Sequence, residues 1–269
     1  MLDFEHQGCR LRYEETGEGR AMVFVHGVGS TLEAWDLVLP HMPPGRHIRL
    51  DLRGHGGSGR APGPYSLELM AGDVLALIDH LGLDRVALFG FSLGGLLAQY
   101  IAIHHPGRLS AVALISTVAG RDEGERARVE ERLATLERDG PLTHLTNAVE
   151  RWFTPDFLAK NPDAIAARRA KALENDPACY MAAYRVLAHS DLAEDLHRIA
   201  TPTLVMTGEA DIGSTPRMSR LMQERIAGSD LVILPGLKHS ILLEAPELVA
   251  RHLGALLTKT TEKTAEGRK

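Results

Sequence analysis

The sequence predicts an α/β fold in which a mostly parallel sheet is flanked by helices and carries an inserted helical cap. Three observations support this class. Short apolar runs alternate with amphipathic stretches, which is typical of strands that are covered by helices on both faces. One apolar run leads through a glycine-rich turn into an apolar helix. A long central stretch has helical patterns and no strand.

The core elements follow one another in chain order. Apolar runs rich in β-branched and aromatic residues predict six strands, at residues 21–26, 47–52, 85–90, 111–116, 202–207 and 230–234. Apolar residues at helical spacing predict three helices, at residues 67–81, 96–104 and 246–257. The last of these helices starts with proline, at a position where an N–H is not needed. We therefore expect a core that is built from residues 1–119 and 196–258.

The region between these two parts of the core has no strand pattern. Its four helical stretches are separated by prolines, at residues 124–138, 142–153, 162–174 and 177–189. We predict that residues 120–195 form the helical cap, inserted between two strands. Residues 259–269 are polar, and we expect them to be a flexible tail.

Composition and charge exclude several classes of function. The 269 residues are 44% hydrophobic and carry a net charge of −5, and no basic stripe indicates a nucleic-acid partner. Cys9 and Cys179 stand in no ligand motif, so we expect no metal site. The first residues do not resemble a secretory signal, and no apolar run approaches the roughly 20 residues that a membrane span needs. We expect a cytoplasmic protein that does not contact membranes.

The strongest chemical signal is the turn after the strand at residues 85–90. Gly90, Ser92 and Gly94 form a G-x-S-x-G pattern between a strand and a helix, which is the context of a nucleophile elbow. The serine needs a strained backbone, so its neighbours must lack a Cβ atom. The helix N-terminus behind it favours negative charge. The pattern predicts Ser92 as a nucleophile.

A serine hydroxyl needs a base, and the base needs an orienting acid. In elbow enzymes of this kind the chain order is nucleophile, acid, base. His239 follows the last strand in a loop, whereas His252 falls inside the closing helix, so we predict His239 as the base. The loop after residues 202–207 contains Glu209 and Asp211, and both qualify chemically. We favour Asp211, which stands further along the loop and has more reach.

Two backbone N–H groups are expected to hold the developing oxyanion. One belongs to Leu93, directly after the serine, and the other to Val28 in the turn after the first apolar strand. Gly27 in the same turn lets the backbone approach the substrate. A second glycine-rich stretch, residues 54–59, matches G-x-G-x-x-G, but prolines follow it where a dinucleotide site needs a helix. We interpret that stretch as a structural loop at the edge of the site.

With these residues in place, the chain resembles the α/β-hydrolase superfamily along almost its whole length. The resemblance rests on residues 26–29, 51–58, 90–95 and 208–211 together with His239. Within the superfamily the chain looks most like 3-oxoadipate enol-lactonases and related carboxylesterases, through residues 64–67, 92–95, 151–154 and 192–196. This resemblance implies hydrolysis of a small-molecule ester or lactone through an acyl-serine, without a cofactor.

The cap is expected to form the roof of the pocket. Trp152, Tyr180 and Tyr184, with Phe153, are candidates for apolar walls, and Arg151 or Arg185 is a candidate partner for a substrate carboxylate. Two other functions stay open. The same triad can cleave carbon–carbon bonds of ring-cleavage diketones, and the same fold can serve as a weakly catalytic small-molecule receptor.

Overall fold

The computed structural model describes the backbone of residues 2–266 and the side chains of residues 2–260. A single eight-stranded sheet lies at its centre. In chain order its strands are β1 (Leu2–His6), β2 (Cys9–Thr16), β3 (Ala21–Val25), β4 (Arg46–Leu50), β5 (Val86–Phe91), β6 (Leu109–Ile115), β7 (Thr203–Gly208) and β8 (Asp230–Leu234).

The strand order in the sheet is β1-β2-β4-β3-β5-β6-β7-β8. All neighbours from β4 to β8 pair in parallel, and β2 runs antiparallel to both of its neighbours. The predicted α/β class with a mostly parallel sheet is therefore confirmed. The N-terminal pair β1–β2 was not predicted, because charged and exposed residues interrupt its strands, which therefore form no continuous apolar run.

Helices cover the sheet and continue into the central part of the chain. In chain order they are α1 (Leu67–His80), α2 (Leu93–His104), α3 (Glu123–Trp152), α4 (Pro155–Lys160), α5 (Pro162–Leu173), α6 (Pro177–His189), α7 (Pro216–Arg225), α8 (Ile241–Glu244) and α9 (Pro246–Glu266). Helix α3 bends at Gly140, which has φ 77° and is followed by Pro141. This bend accounts for the two separate helices that the sequence predicts there.

Alternate residues of the central strands supply the two layers of the core. On β3, Val23 and Val25 pack on the face that α1 and α2 cover, whereas Met22 and Phe24 pack on the opposite face with α9. This burial on both faces is the physical reason why β3 appears in the sequence as an unbroken apolar run. The sheet thereby holds the carboxyl ends of β3, β5, β7 and β8 along one edge.

Helices α3 to α6 lie between β6 and β7 in the chain, and we call residues 123–189 the helical insertion. The insertion has a small apolar cluster of its own, which includes Leu133, Leu136 and Leu145. At the C-terminus, α9 continues to Glu266, beyond the predicted helix end at residue 257. Residues 259–266 of the predicted tail are thus helical, and residues 267–269 lie outside the described residues. No helix within the described range is long and apolar enough to span a membrane.

Candidate active site

The candidate nucleophile occupies a sharp turn between β5 and α2. Ser92 has φ 55° and ψ −115°, a backbone conformation that is costly for a residue with a side chain. Its N–H donates to the Ile115 carbonyl of β6 at 2.8 Å, and its carbonyl accepts from the Thr117 hydroxyl at 2.8 Å. These hydrogen bonds to the neighbouring strand end hold the strained turn in place.

Glycines beside Ser92 are required by close packing of the backbone. A Cβ atom on Gly90 would come within 2.2 Å of the Gly94 carbonyl oxygen. A Cβ atom on Gly94 would come within 2.3 Å of the Val25 carbonyl oxygen. Helix α2 can start directly behind the serine only because these positions lack side chains, as the G-x-S-x-G pattern predicts.

His239 and Asp211 meet at the same edge of the sheet. The His239 Nδ1 and Asp211 Oδ2 atoms are 2.7 Å apart, and the carboxylate is almost fully buried. An ionised carboxylate can only accept, so Nδ1 carries the proton and Nε2 is left with a free lone pair. The imidazole is therefore oriented as a base requires.

The Asp211 carboxylate is fixed by its own loop. Its Oδ1 atom accepts from the backbone N–H groups of Gly213 at 2.8 Å and Ser214 at 2.9 Å. Glu209, the alternative acid, lies exposed and accepts from the Gly236 N–H at 2.9 Å instead of contacting His239. The choice between the two carboxylates thus depends on which one turns inward behind β7.

The base loop is held from two sides. The Ser116 hydroxyl at the end of β6 donates to the His239 carbonyl at 3.2 Å. The Ser240 N–H donates to the Trp152 carbonyl at the end of α3 at 2.9 Å. The loop that carries the imidazole is thus anchored both to the sheet and to the helical insertion.

Ser92 and His239 line one pocket together with Asp211. Within the described part of the chain, no hydrogen bond joins the Ser92 hydroxyl to the His239 imidazole. Such catalytic hydrogen bonds are often long in ligand-free enzymes and tighten when substrate binds. The three side chains that the sequence singled out therefore converge on one cavity.

Two backbone donors are available beside the serine. Among the residues described, the N–H groups of Val28 and Leu93 donate to no protein acceptor. Leu93 is the first residue of α2, where N–H groups have no partner inside the helix. Val28 and Gly27 line the pocket, and a Cβ atom on Gly27 would come within 2.9 Å of the Ser92 Cβ. The turn after β3 therefore lies directly against the serine.

His26 holds this turn, a role that the sequence analysis did not assign. The Leu52 N–H donates to its Nε2 atom at 3.0 Å, so Nδ1 carries the proton and donates to the Gly27 carbonyl at 2.8 Å. Complete burial lowers the pKa of His26 to about 4, which keeps the ring neutral. In the sequence, the only indication of this role is that His26 stands directly before Gly27.

The pocket has a volume of about 960 Å3 including its solvent-open mouth. Helices of the insertion contribute the predicted wall residues Trp152, Tyr180 and Tyr184, and also Arg151, the first candidate partner for a substrate carboxylate. Phe153 instead is buried against Phe157 and is not among the lining residues.

Arg185, the other candidate carboxylate partner, points away from the cavity. It lies on the surface and forms an ion pair with Glu137. Among the lining residues that the sequence analysis missed are Arg121, Arg132, His144 and Arg168. No local pattern could have identified the last three, because which face of each helix meets the pocket is decided by packing.

The glycine-rich loop of residues 54–59 encloses a buried carboxylate. Asp51 accepts from the Gly57 N–H at 2.8 Å, and a Cβ atom on Gly56 would come within 2.3 Å of the same carboxylate. After this loop no helix starts until Leu67, so the helix that a dinucleotide site needs does not follow the glycines.

Along the described residues, no group of three or more His, Cys, Asp or Glu side chains could hold a metal ion.

The order of serine, carboxylate and histidine along the chain, on loops at one edge of a mostly parallel sheet, defines the α/β-hydrolase class. The chain belongs to the alpha/beta hydrolase family, whose sequence profile matches residues 22–252.

Individual relatives agree with this assignment over nearly the whole chain. The 3-oxoadipate enol-lactonase 2 of Acinetobacter baylyi is 30% identical over 257 residues, which cover 94% of this chain and 95% of the relative. The (E)-2-((N-methylformamido)methylene)succinate hydrolase of the same organism is 32% identical, over 92% of this chain and 94% of its own length. The enol-lactonase structure from Burkholderia xenovorans superimposes with a TM-score of 0.89 at 29% identity, covering 96% of this chain and 100% of its own. The resemblance predicted from sequence motifs is confirmed.

Proposed function

We propose that this protein is a serine hydrolase that cleaves a carboxylic ester or lactone through an acyl-serine intermediate. The observation that carries the proposal is the hydrogen bond between His239 Nδ1 and Asp211, which leaves Nε2 as a free base in the pocket that Ser92 lines. The relatives named as enol-lactonases support a lactone or enol ester as the reacting group.

In the first half of the reaction, His239 Nε2 takes the Ser92 proton while the oxygen attacks the substrate carbonyl. The Val28 and Leu93 N–H groups donate to the oxyanion that forms. His239 then gives its proton to the leaving oxygen, and the C–O bond breaks. In a lactone the leaving alcohol or enol stays attached to the acyl group.

In the second half, His239 takes a proton from water while the water oxygen attacks the acyl carbonyl. The tetrahedral intermediate collapses, the Ser92 ester bond breaks, and the proton returns to the Ser92 oxygen. The product is a free carboxylic acid. Asp211 remains ionised throughout and stabilises the imidazolium in each half-reaction. We further propose that the helical insertion acts as the cap of this site.

A Ser92→Ala variant tests the proposal. We expect the kcat for a 4-nitrophenyl ester to fall on the order of a million-fold, because the hydroxyl is the attacking group. A fluorophosphonate should label the wild-type protein once, at Ser92, as seen by mass spectrometry of the peptides.

Retained hydrolysis in a correctly folded Ser92→Ala variant would contradict the proposal. A substrate panel of esters, lactones and ring-cleavage diketones separates the alternatives. Turnover of diketones alone would indicate carbon–carbon cleavage by the same serine. Binding without turnover of any member would indicate a receptor.

A further inference from the structure

The pocket has a strong excess of positive charge. Four arginines line it: Arg121, Arg132, Arg151 and Arg168. Asp211 is the only carboxylate among the lining residues, and it is already bonded to His239. In the described part of the chain, none of the four arginines forms an ion pair with Asp or Glu. Unpaired guanidinium groups around one cavity repel each other, and a bound anion removes that cost.

One of the four arginines, Arg121, already uses its donors in hydrogen bonds to the protein backbone. The Arg121 guanidinium donates to the carbonyls of Leu187, Ala188 and Ser190 at the C-terminal end of α6. A cation is favourable at this end of a helix, and its donors are engaged. Arg121 therefore stabilises α6 and leaves three arginines to be explained.

Arg132 and Arg151 come from the two halves of α3, on either side of the bend at Gly140. Burial, followed by repulsion from Arg132, lowers the pKa of Arg151. One nitrogen of Arg151 is bonded to the Asn147 carbonyl, which leaves the rest of its fork free. Both side chains reach the pocket, so two guanidinium groups are available at this end.

Two tyrosines add uncharged donors beside this pair. The rings of Tyr180 and Tyr184 are stacked with centroids 6.4 Å apart, and both residues are buried. Neither hydroxyl donates to an acceptor among the residues that the structure describes. His144 packs against both rings, and burial lowers its pKa to about 4, so it adds no further charge. Arg132, Arg151 and the two tyrosines thus have hydrogen-bond donors that a ligand could engage at this end of the pocket.

Arg168 supplies a separate positive charge next to the oxyanion turn. It comes from α5, donates to the Gly29 carbonyl at 2.9 Å and stacks on the Trp152 ring at 5.4 Å. A guanidinium group has five N–H donors in one plane, so the hydrogen bond to the Gly29 carbonyl leaves further N–H groups that can bind a ligand. Arg168 thus stands on a different helix from Arg132 and Arg151, and the hydrogen bond to Gly29 fixes it beside the turn after β3.

We propose that the substrate is an ester or lactone whose acyl part carries two carboxylates, one bound by Arg132 and Arg151 and the other by Arg168. This inference rests on the proposed function, since it names the substrate class of the same site. A planar guanidinium group can bind both oxygens of a carboxylate, and such charge-assisted hydrogen bonds are stronger than bonds between neutral groups. The hydroxyl groups of Tyr180 and Tyr184 add uncharged hydrogen-bond donors to the same cavity.

Competitive inhibition by a matched series of acids tests the proposal on a neutral substrate, 4-nitrophenyl acetate. Butyrate, glutarate and tricarballylate differ by one carboxylate at each step, and one carboxylate of each stands for the reacting carbonyl. We expect the inhibition constant to fall about tenfold at each step, because each added carboxylate gains charge-assisted hydrogen bonds. Added NaCl should weaken tricarballylate binding more than butyrate binding.

Variants separate the two anion positions. Arg132→Gln and Arg151→Gln should each raise the inhibition constants of glutarate and tricarballylate about tenfold and leave that of butyrate within threefold. Arg168→Gln should remove the advantage of tricarballylate over glutarate. The ratio of the glutarate and tricarballylate inhibition constants does not change if the substitution merely disturbs the nearby Gly29 turn, since such a disturbance affects both acids alike. Arg185→Gln is the matched control and should change none of the three constants.

Equal inhibition constants for the three acids overturn the proposal. The proposal is also overturned if Arg185→Gln raises the inhibition constants as much as Arg132→Gln does. Equal inhibition by glutarate and tricarballylate overturns the second anion position. Titration calorimetry of the Ser92→Ala variant with tricarballylate keeps this test independent of catalysis. If tricarballylate binds tightly and this binding depends on Arg132, but the wild-type protein hydrolyses no ester, the anion site is supported and the proposed function is refuted.

Discussion

The sheet edge and the helical insertion contribute to one pocket but differ in how their polar groups are paired. At the sheet edge, Asp211, His26 and the Ser92 backbone all have hydrogen-bond partners within the fold. In the insertion, Arg132 and Arg151 line the pocket, and neither forms an ion pair with an acidic residue that the structure describes. The difference indicates that the sheet edge is organised before substrate arrives, whereas the insertion is completed by what it binds.

Asp211→Asn is the most severe test of the sheet edge. We expect kcat to fall about 10,000-fold, because an amide at this position favours the wrong histidine tautomer. Steady-state kinetics with a 4-nitrophenyl ester would measure the loss. Glu209→Gln is the matched control and should keep activity within threefold, since Glu209 lies exposed on the same loop. Equal losses in the two variants would contradict the assignment of the acid.

Acid should destabilise the fold through its buried neutral histidines, among them His144 in the insertion. Burial lowers the pKa of His144 from 6.5 to about 4. Between these values the unfolded chain binds a proton that the folded protein does not, so stability falls as pH drops through this window. The full contribution of His144 is about 3 kcal/mol.

A His144→Phe variant isolates this contribution from that of His26. Urea unfolding of both proteins should show that stability declines less in the variant between pH 7 and pH 4.5. Phenylalanine places an aromatic ring without a titratable group next to Tyr180 and Tyr184. Parallel stability curves would show that His144 is not the titrating group.

Thr117→Val should reduce kcat about tenfold, because the hydroxyl that supports the Ser92 carbonyl is lost. Thr117 is a positioning residue, so KM should change little. Thr135→Val is the control, since that hydroxyl donates only to the Glu131 carbonyl within α3. A rise in KM without a fall in kcat would argue against positioning.

Lys238→Met should have the smallest effect, about threefold or less in kcat/KM. Its ammonium group joins the base loop to the Glu150 carbonyl at the end of α3. The second link, between Ser240 and Trp152, stays in place in this variant. Lys160→Met, on an exposed helix of the insertion, is the control. A large loss would show that the insertion sets the position of His239.

The sequence by itself determined the sheet class and the positions of Ser92, Asp211 and His239. The physical reason is topological: loops that follow parallel strands emerge at one edge, so chain order predicts which residues meet. Sequence could not reveal the role of His26, which depends on a bond to Leu52 across the sheet.

Only the tertiary structure decided which residues of the insertion face the substrate. Arg132, Arg168 and Arg185 all stand on helices of the insertion, and nothing in their spacing separates the two that line the pocket from the one that faces solvent. Helix faces are selected by packing against α6 and the sheet, where burial of apolar area outweighs local preference. The fold and the family could thus be predicted from the chain, but the charge of the pocket emerged only when the helices were packed around it.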